Sequence, residues 1–194
     1  MKIARNMNLV TAVETENGTA YVHSMPLSKE VYREHFFILS KTFAAIFSEG
    51  LGVVAGPRIA YLMLEKMASD AGVWEGESGI RNTLVNEIIR LSSLVYPVDG
   101  KGWDDQPLEV AIEKGIVDPD DVLGELVFFT CVSAINKRDQ ALSTMEAACG
   151  LWGSRITSLS VTDWTASLPT STQEDSSGAT AITSSAPSSN IVAE

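Results

Sequence analysis

The sequence predicts a mainly α protein: a single helical domain of about six helices, with an N-terminal β-hairpin and a disordered C-terminal tail. Three observations predict it. Apolar residues recur at helical spacing from Val31 to Trp152. Two short apolar runs flank Asn17-Gly18, a pair suited to a tight hairpin turn. At Ala166 the composition changes. Twelve of the last 29 residues are Ser or Thr, with no aromatic, Lys or Arg to anchor a core. The expected segments are residues 1–27 (hairpin), 28–165 (helical domain) and 166–194 (tail).

The hairpin is read over residues 8–25, with Leu9, Val10 and Val13 before the turn and Tyr21 and Val22 after it. Asn17-Gly18-Thr19 is formally a glycosylation sequon, but it is better read as the turn. Ser28 is a good helix N-cap, and Glu30 faces the dipole in the first turn. Val31, Ile38, Leu39 and Ile46, with Phe36, Phe43 and Phe47, give that helix a wide apolar face.

Residues 41–66, KTFAAIFSEGLGVVAGPRIAYLMLEK, admit two readings. Gly50, Gly52 and Ala55 match the phosphate-binding fingerprint G-x-G-x-x-A, with Phe43–Phe47 as the strand before it and Asp70 near the ribose-binding position. The other reading is helix, glycine turn, helix. Pro57 decides for the second, because a proline inside the fingerprint's helix costs about 3 kcal/mol. After Gly56 it suits the first position of a new helix running to Ala71.

A loop around Trp74 follows. The spacing of Ile80, Leu84, Ile88, Leu91 and Val95 predicts a helix over 79–95, closed by Pro97. Val98–Gln106 reads as a polar loop, and Pro107 opens a short helix that Gly115 ends. Asp118-Pro119 caps and starts the next helix, carrying Val122, Leu126, Phe129 and Val132. A last helix spans 140–154.

The net charge of −11 disfavours nucleic acid and anionic membrane as partners, since both demand a positive face. Cys131 and Cys149 lie in apolar helical patterns and read as buried free thiols. The N-terminus lacks a signal-peptide pattern. No apolar run approaches the roughly 20 residues needed to span a bilayer. The chemistry-bearing inventory is thin. His35 falls among phenylalanines, as a structural histidine does, and His23 has no acid or nucleophile at a recognisable spacing. Asp118, Asp120 and Asp121 do not fit an EF-hand, because Leu123 stands where the loop needs glycine. No catalytic, cofactor-binding or metal-binding residues are assigned. Trp74 and Trp103, large residues in polar loops, are the candidates for partner binding, with burial on the core as the other reading.

Three stretches then stand out: LSKEVYREHFFILSKTFAAIFSEGLGVVAGPRIAYLMLEKMA, GWDDQPLEVAIEKGIVDPDDV and ALSTMEAACGLWGSRITSLSVTDWTASLPTST. In them the chain resembles the tail assembly chaperones of long-tailed bacteriophages. The resemblance implies a non-enzymatic factor of the infected host's cytoplasm, absent from the mature virion and needing no cofactor. It also implies two partners, the tape measure protein, which is kept soluble, and the tail tube protein, which is brought to it. In many relatives a programmed frameshift adds a second domain, and the tail after Ala166 resembles that junction. A homo-oligomer stays open. The alternative function is a structural tail-completion or head–tail connector protein. Met and Phe suit an adaptable groove, and equally a filled core.

Overall fold

The computed structural model describes residues 7–169. It replaces the mainly α expectation with a mixed fold, in which 58% of the described residues are helical and 19% lie in strands. The strands form one antiparallel sheet of order β4-β3-β2-β1-β5. Its centre is the expected hairpin, β1 (Asn8–Thr15) and β2 (Gly18–Ser24), in register from Leu9 opposite Ser24 to Thr15 opposite Gly18. The loop between them is Glu16-Asn17, and Gly18 has φ +103°. That left-handed region is open to glycine and strained for most other residues.

Two helices follow, α1 (Lys29–Ser48) and α2 (Gly52–Asp70). Ser28 caps α1 as expected, its hydroxyl accepting from the Val31 amide at 3.4 Å. The start of α2 is a correction. The helix begins at Gly52 and runs through Pro57, so the proline argument against such a placement fails. Pro57 stands in the second turn, where it removes one backbone bond without ending the helix, and it is buried in the packed face of α2. The nucleotide reading falls for a different reason. Phe43–Phe47, its required strand, is the last part of α1.

The expected helix over 79–95 is a second correction. A π-helical turn (Arg81–Val85) and α3 (Asn86–Arg90) bury Ile80, Leu84 and Ile88, but the chain then becomes β3 (Ser92–Val98). Ser92 Oγ lies 2.8 Å from the Ile88 carbonyl and 2.9 Å from Ser24 Oγ, joining the helix end to the sheet. Leu94 and Val95 are adjacent and both fully buried. A strand achieves this by sending neighbours to opposite faces. The polar segment after Pro97 is not all loop. Its second half is β4 (Gly102–Pro107), paired with β3 from Val98 opposite Gly102 to Ser93 opposite Pro107.

The remaining helices are α4 (Leu108–Glu113), α5 (Pro119–Ile135) and α6 (Arg138–Trp152). Asp118 caps α5, accepting from the Asp120 amide at 3.0 Å. Every residue of α5 from Leu126 to Val132 is buried, which makes it the central helix. It packs on β1, α1, α2, α3 and α6. Residues 155–167 add β5 (Arg155–Thr157), paired with Asn8–Val10 of β1, and α7 (Val161–Ser167).

The sheet therefore has two covered faces. Leu9, Val13, Ala20, Val22 and Leu94 join the main helical core. Val10 and Val95 join Trp164 of α7 in a second, smaller core with Tyr21, Trp103, Val161 and Leu168. Ordered packing thus passes Ala166, where the composition changes, and Trp103 Nε1 donates to the Pro169 carbonyl at 3.0 Å. The rest of the expected tail, residues 170–194, lies outside the described residues.

Candidate functional site

The α1–α2 hairpin carries the most apolar surface that the described chain leaves uncovered. On α1 the buried residues are His35, Ile38, Leu39, Thr42 and Ile46, one stripe at helical spacing. Phe36 and Phe37 follow His35 and turn away from that stripe, at 54% and 68% exposure. Phe43 and Phe47 pack at a tilt of 40° with centroids 4.5 Å apart. On α2 the buried stripe is Gly56, Pro57, Ala60, Leu64 and Ala68, which leaves Leu62 at 62% exposure.

Between the helices runs an apolar groove of about 400 Å³. Ala45 and Glu49 of α1 form one wall, and Ile59, Leu62, Met63, Lys66 and Met67 of α2 form the other. Phe37, with Lys41 beside it, lies on α1 outside that lining. Lys41 Nζ sits 4.5 Å above the Phe37 ring, and Lys66 pairs with Asp70 at 2.8 Å. The hairpin from Lys29 to Asp70 holds five cations (Lys29, Arg33, Lys41, Arg58, Lys66) and five acids (Glu30, Glu34, Glu49, Glu65, Asp70). It is electrically neutral, so the chain's whole net charge of −11 lies outside it.

Neither tryptophan singled out from the sequence lies on this surface. Trp74 is buried in the main core, its ring 6.1 Å from that of Tyr61. Trp103 is half-buried on the other face of the sheet, its ring 5.5 Å from that of Tyr21. A signal for the groove was present in the sequence. Adjacent helical residues point about 100° apart, so Phe36-Phe37 and Leu62-Met63-Leu64 cannot all face one core.

The histidines are structural in position. His23 is buried, and its Nε2 lies 3.1 Å from the Leu159 carbonyl, which also accepts from Asn8 Nδ2 at 2.8 Å. Burial lowers the pKa of His23, and of His35 within α1. Burial likewise pushes the Cys131 thiol up to about 12 and the Cys149 thiol up to about 11, which disfavours reactive thiolates.

A second concavity of about 320 Å³ lies where α2, α5 and α6 meet, lined by Arg58, Asp120, Asp121, Glu125 and Trp152. The Arg58 guanidinium rests 5.3 Å above the Trp152 ring. Glu125 accepts from Ser154 at 2.6 Å and from Thr11, tying α5 to β1 and to the start of β5.

Among the described residues no group of three or more His, Cys, Asp or Glu is placed to hold a metal ion, and no helix is long and apolar enough to cross a membrane. Comparison with known protein families, curated proteins and solved structures returns no match.

Proposed function

We propose that this protein is a non-enzymatic tail assembly chaperone of a long-tailed bacteriophage. It keeps the tape measure protein soluble in the host cytoplasm, helps bring tail tube subunits to it, and leaves before the virion is complete. One observation carries the reading: an exposed apolar groove on a neutral helix hairpin, within a strongly acidic chain. A holder of aggregating helices needs both properties. The groove covers apolar surface on the client, and the charge elsewhere keeps the complex in solution. The three stretches that resemble the tail assembly chaperones include both helices of the hairpin.

The test is co-expression with the tape measure protein, followed by sedimentation. A holder that binds the exposed client lowers the concentration of the aggregating species. The tape measure protein should pellet alone and remain in the supernatant with this chain. Pelleting in both cases overturns the proposal. Mass spectrometry of purified virions separates the alternative, since a connector or completion protein stays in the particle.

A further inference from the structure

We infer that the α1–α2 groove binds its client as a short amphipathic helix, close to neutral, with its N-terminus at the α1–α2 turn. The inference rests on the proposed function for the client's identity alone.

The backbone chemistry of the walls requires a helix. Both walls are helical side chains, and α1 and α2 already satisfy their own backbone groups. The groove has no sheet edge to pair with an extended peptide, whose amides would be desolvated without partners. A helix brings its own hydrogen bonds. The longer wall, on α2, runs from Ile59 to Met67, eight residue steps. At about 1.5 Å per residue that is about 12 Å, or roughly two turns. Ala45 lets a client approach closely, and the Met63 and Met67 side chains adapt to its contour.

Charge sets composition and polarity. Two charged residues line the groove, Lys66 and Glu49, and they cancel, so the groove favours neither an acidic nor a basic segment. Glu49 stands at the turn without an ion-pair partner among the described residues. A helix N-terminus carries partial positive charge and its C-terminus partial negative charge. Glu49 therefore favours the N-terminus of the client at the turn. The bound helix runs antiparallel to α1.

The probe is a fluorescein-labelled peptide of about 14 residues built from Leu, Ala and Gln, with leucines at helical spacing. The control has the same composition with the leucines scrambled. With the full chain, the ordered peptide should bind at least about tenfold tighter than the scramble and gain helical circular dichroism. Its Kd should change less than about twofold between about 50 and about 500 mM NaCl, because the contact is apolar. Leu62→Asp, at an exposed site, should weaken binding about tenfold or more while leaving the melting temperature unchanged. Equal binding of the scramble, a tenfold loss in salt, or wild-type binding by Leu62→Asp each overturns the groove. For polarity, a nitroxide is attached at Ser48→Cys, exposed beside the turn with Glu49 left in place, the native cysteines being buried. It should broaden the resonances of the peptide's N-terminal residues, and broadening at the C-terminal end overturns the orientation. If the peptide binds but the tape measure protein does not, only the proposed function falls. If the tape measure protein binds equally well to Leu62→Asp, only the groove falls.

Discussion

Gly124 sits where α2 and α5 pass closest, and replacing it with alanine tests that crossing. A β-carbon there would lie 2.5 Å from the Pro57 carbonyl oxygen and 2.8 Å from that of Arg58. Carbon–oxygen contacts settle at about 3.3 Å or more, so the helices must separate by several tenths of an ångström. Both obstructing atoms are backbone, and no rotamer change relieves them. The crossing is closed from the α2 side too, since a β-carbon at Gly56 would meet Phe128 Cε2 at 2.7 Å and Ile46 Cγ2 at 2.9 Å. Overpacking of this kind costs about 1–3 kcal/mol, and the better helix propensity of alanine offsets up to about 1 kcal/mol. Gly124→Ala should therefore destabilise the protein by about 1–2 kcal/mol. Gly150 supplies the control. It lies exposed on α6 with nothing within 4 Å of an added β-carbon. Gly150→Ala keeps the propensity gain alone, about 0.5–1 kcal/mol. At about 2–4 °C per kcal/mol for a chain of this size, the two variants should melt about 3–12 °C apart, on opposite sides of wild type. Thermal circular dichroism measures both. A Gly124→Ala variant at or above the wild-type melting temperature refutes the close crossing.

Trp164→Ala removes the centre of the second core, where the indole meets Tyr21 edge-on with centroids 5.0 Å apart. It should cost about 3 kcal/mol and open residues 158–169 to limited proteolysis, whereas an unchanged cleavage pattern would show that α7 docks without it. His23 and His35 have folded pKa values below the ordinary 6.5, so the unfolded chain binds more protons in the window just below that value. Their contribution is fully present above pH 6.5 and is lost as pH falls toward the depressed folded values. His23→Gln should flatten the urea-midpoint profile there, and an unchanged slope would assign the effect elsewhere. Both thiols are buried, so a thiol reagent should modify Cys131 and Cys149 only after denaturation. Fast labelling of the native protein would contradict that burial.

Much of the fold was legible where local chemistry and tertiary packing agree. Ser28, Asp118-Pro119 and Asn17-Gly18 each mark a boundary through a backbone requirement that no neighbour overrides. The failures share a cause. Leu91 and Val95 continue the period of Ile80, Leu84 and Ile88, so spacing extends a helix across what becomes β3. A strand buried on both faces carries adjacent apolar residues such as Leu94 and Val95, a pattern that also fits a helix. β4 was hidden by its polarity. It is an edge strand, and Asp104 and Asp105 are exposed on it, as charges that discourage further pairing at an edge often are. Once β3 and β4 are missed, the hairpin lacks its continuing sheet, and the chain reads as mainly α.

The site was harder to read because an apolar run on a helix has two outcomes. Leu126–Val132 is buried all round, since α5 is enclosed by β1 and by α1, α2, α3 and α6. Leu62-Met63-Leu64 has the same local character, yet Leu64 is fully buried while Leu62 is 62% exposed. The difference is topological. α1, α5 and α6 pack against the Gly56–Ala60–Leu64–Ala68 stripe of α2, and Leu62 lies off it on the groove wall. A sequence can flag both runs as too wide for one-sided packing, but only the arrangement of the other helices decides which run is filled from within. The large indoles drew attention toward Trp74 and Trp103, which this chain largely covers itself. The residues left over are the smaller Phe37 and Leu62, and in their neutral setting the proposed client would be met by shape rather than by charge.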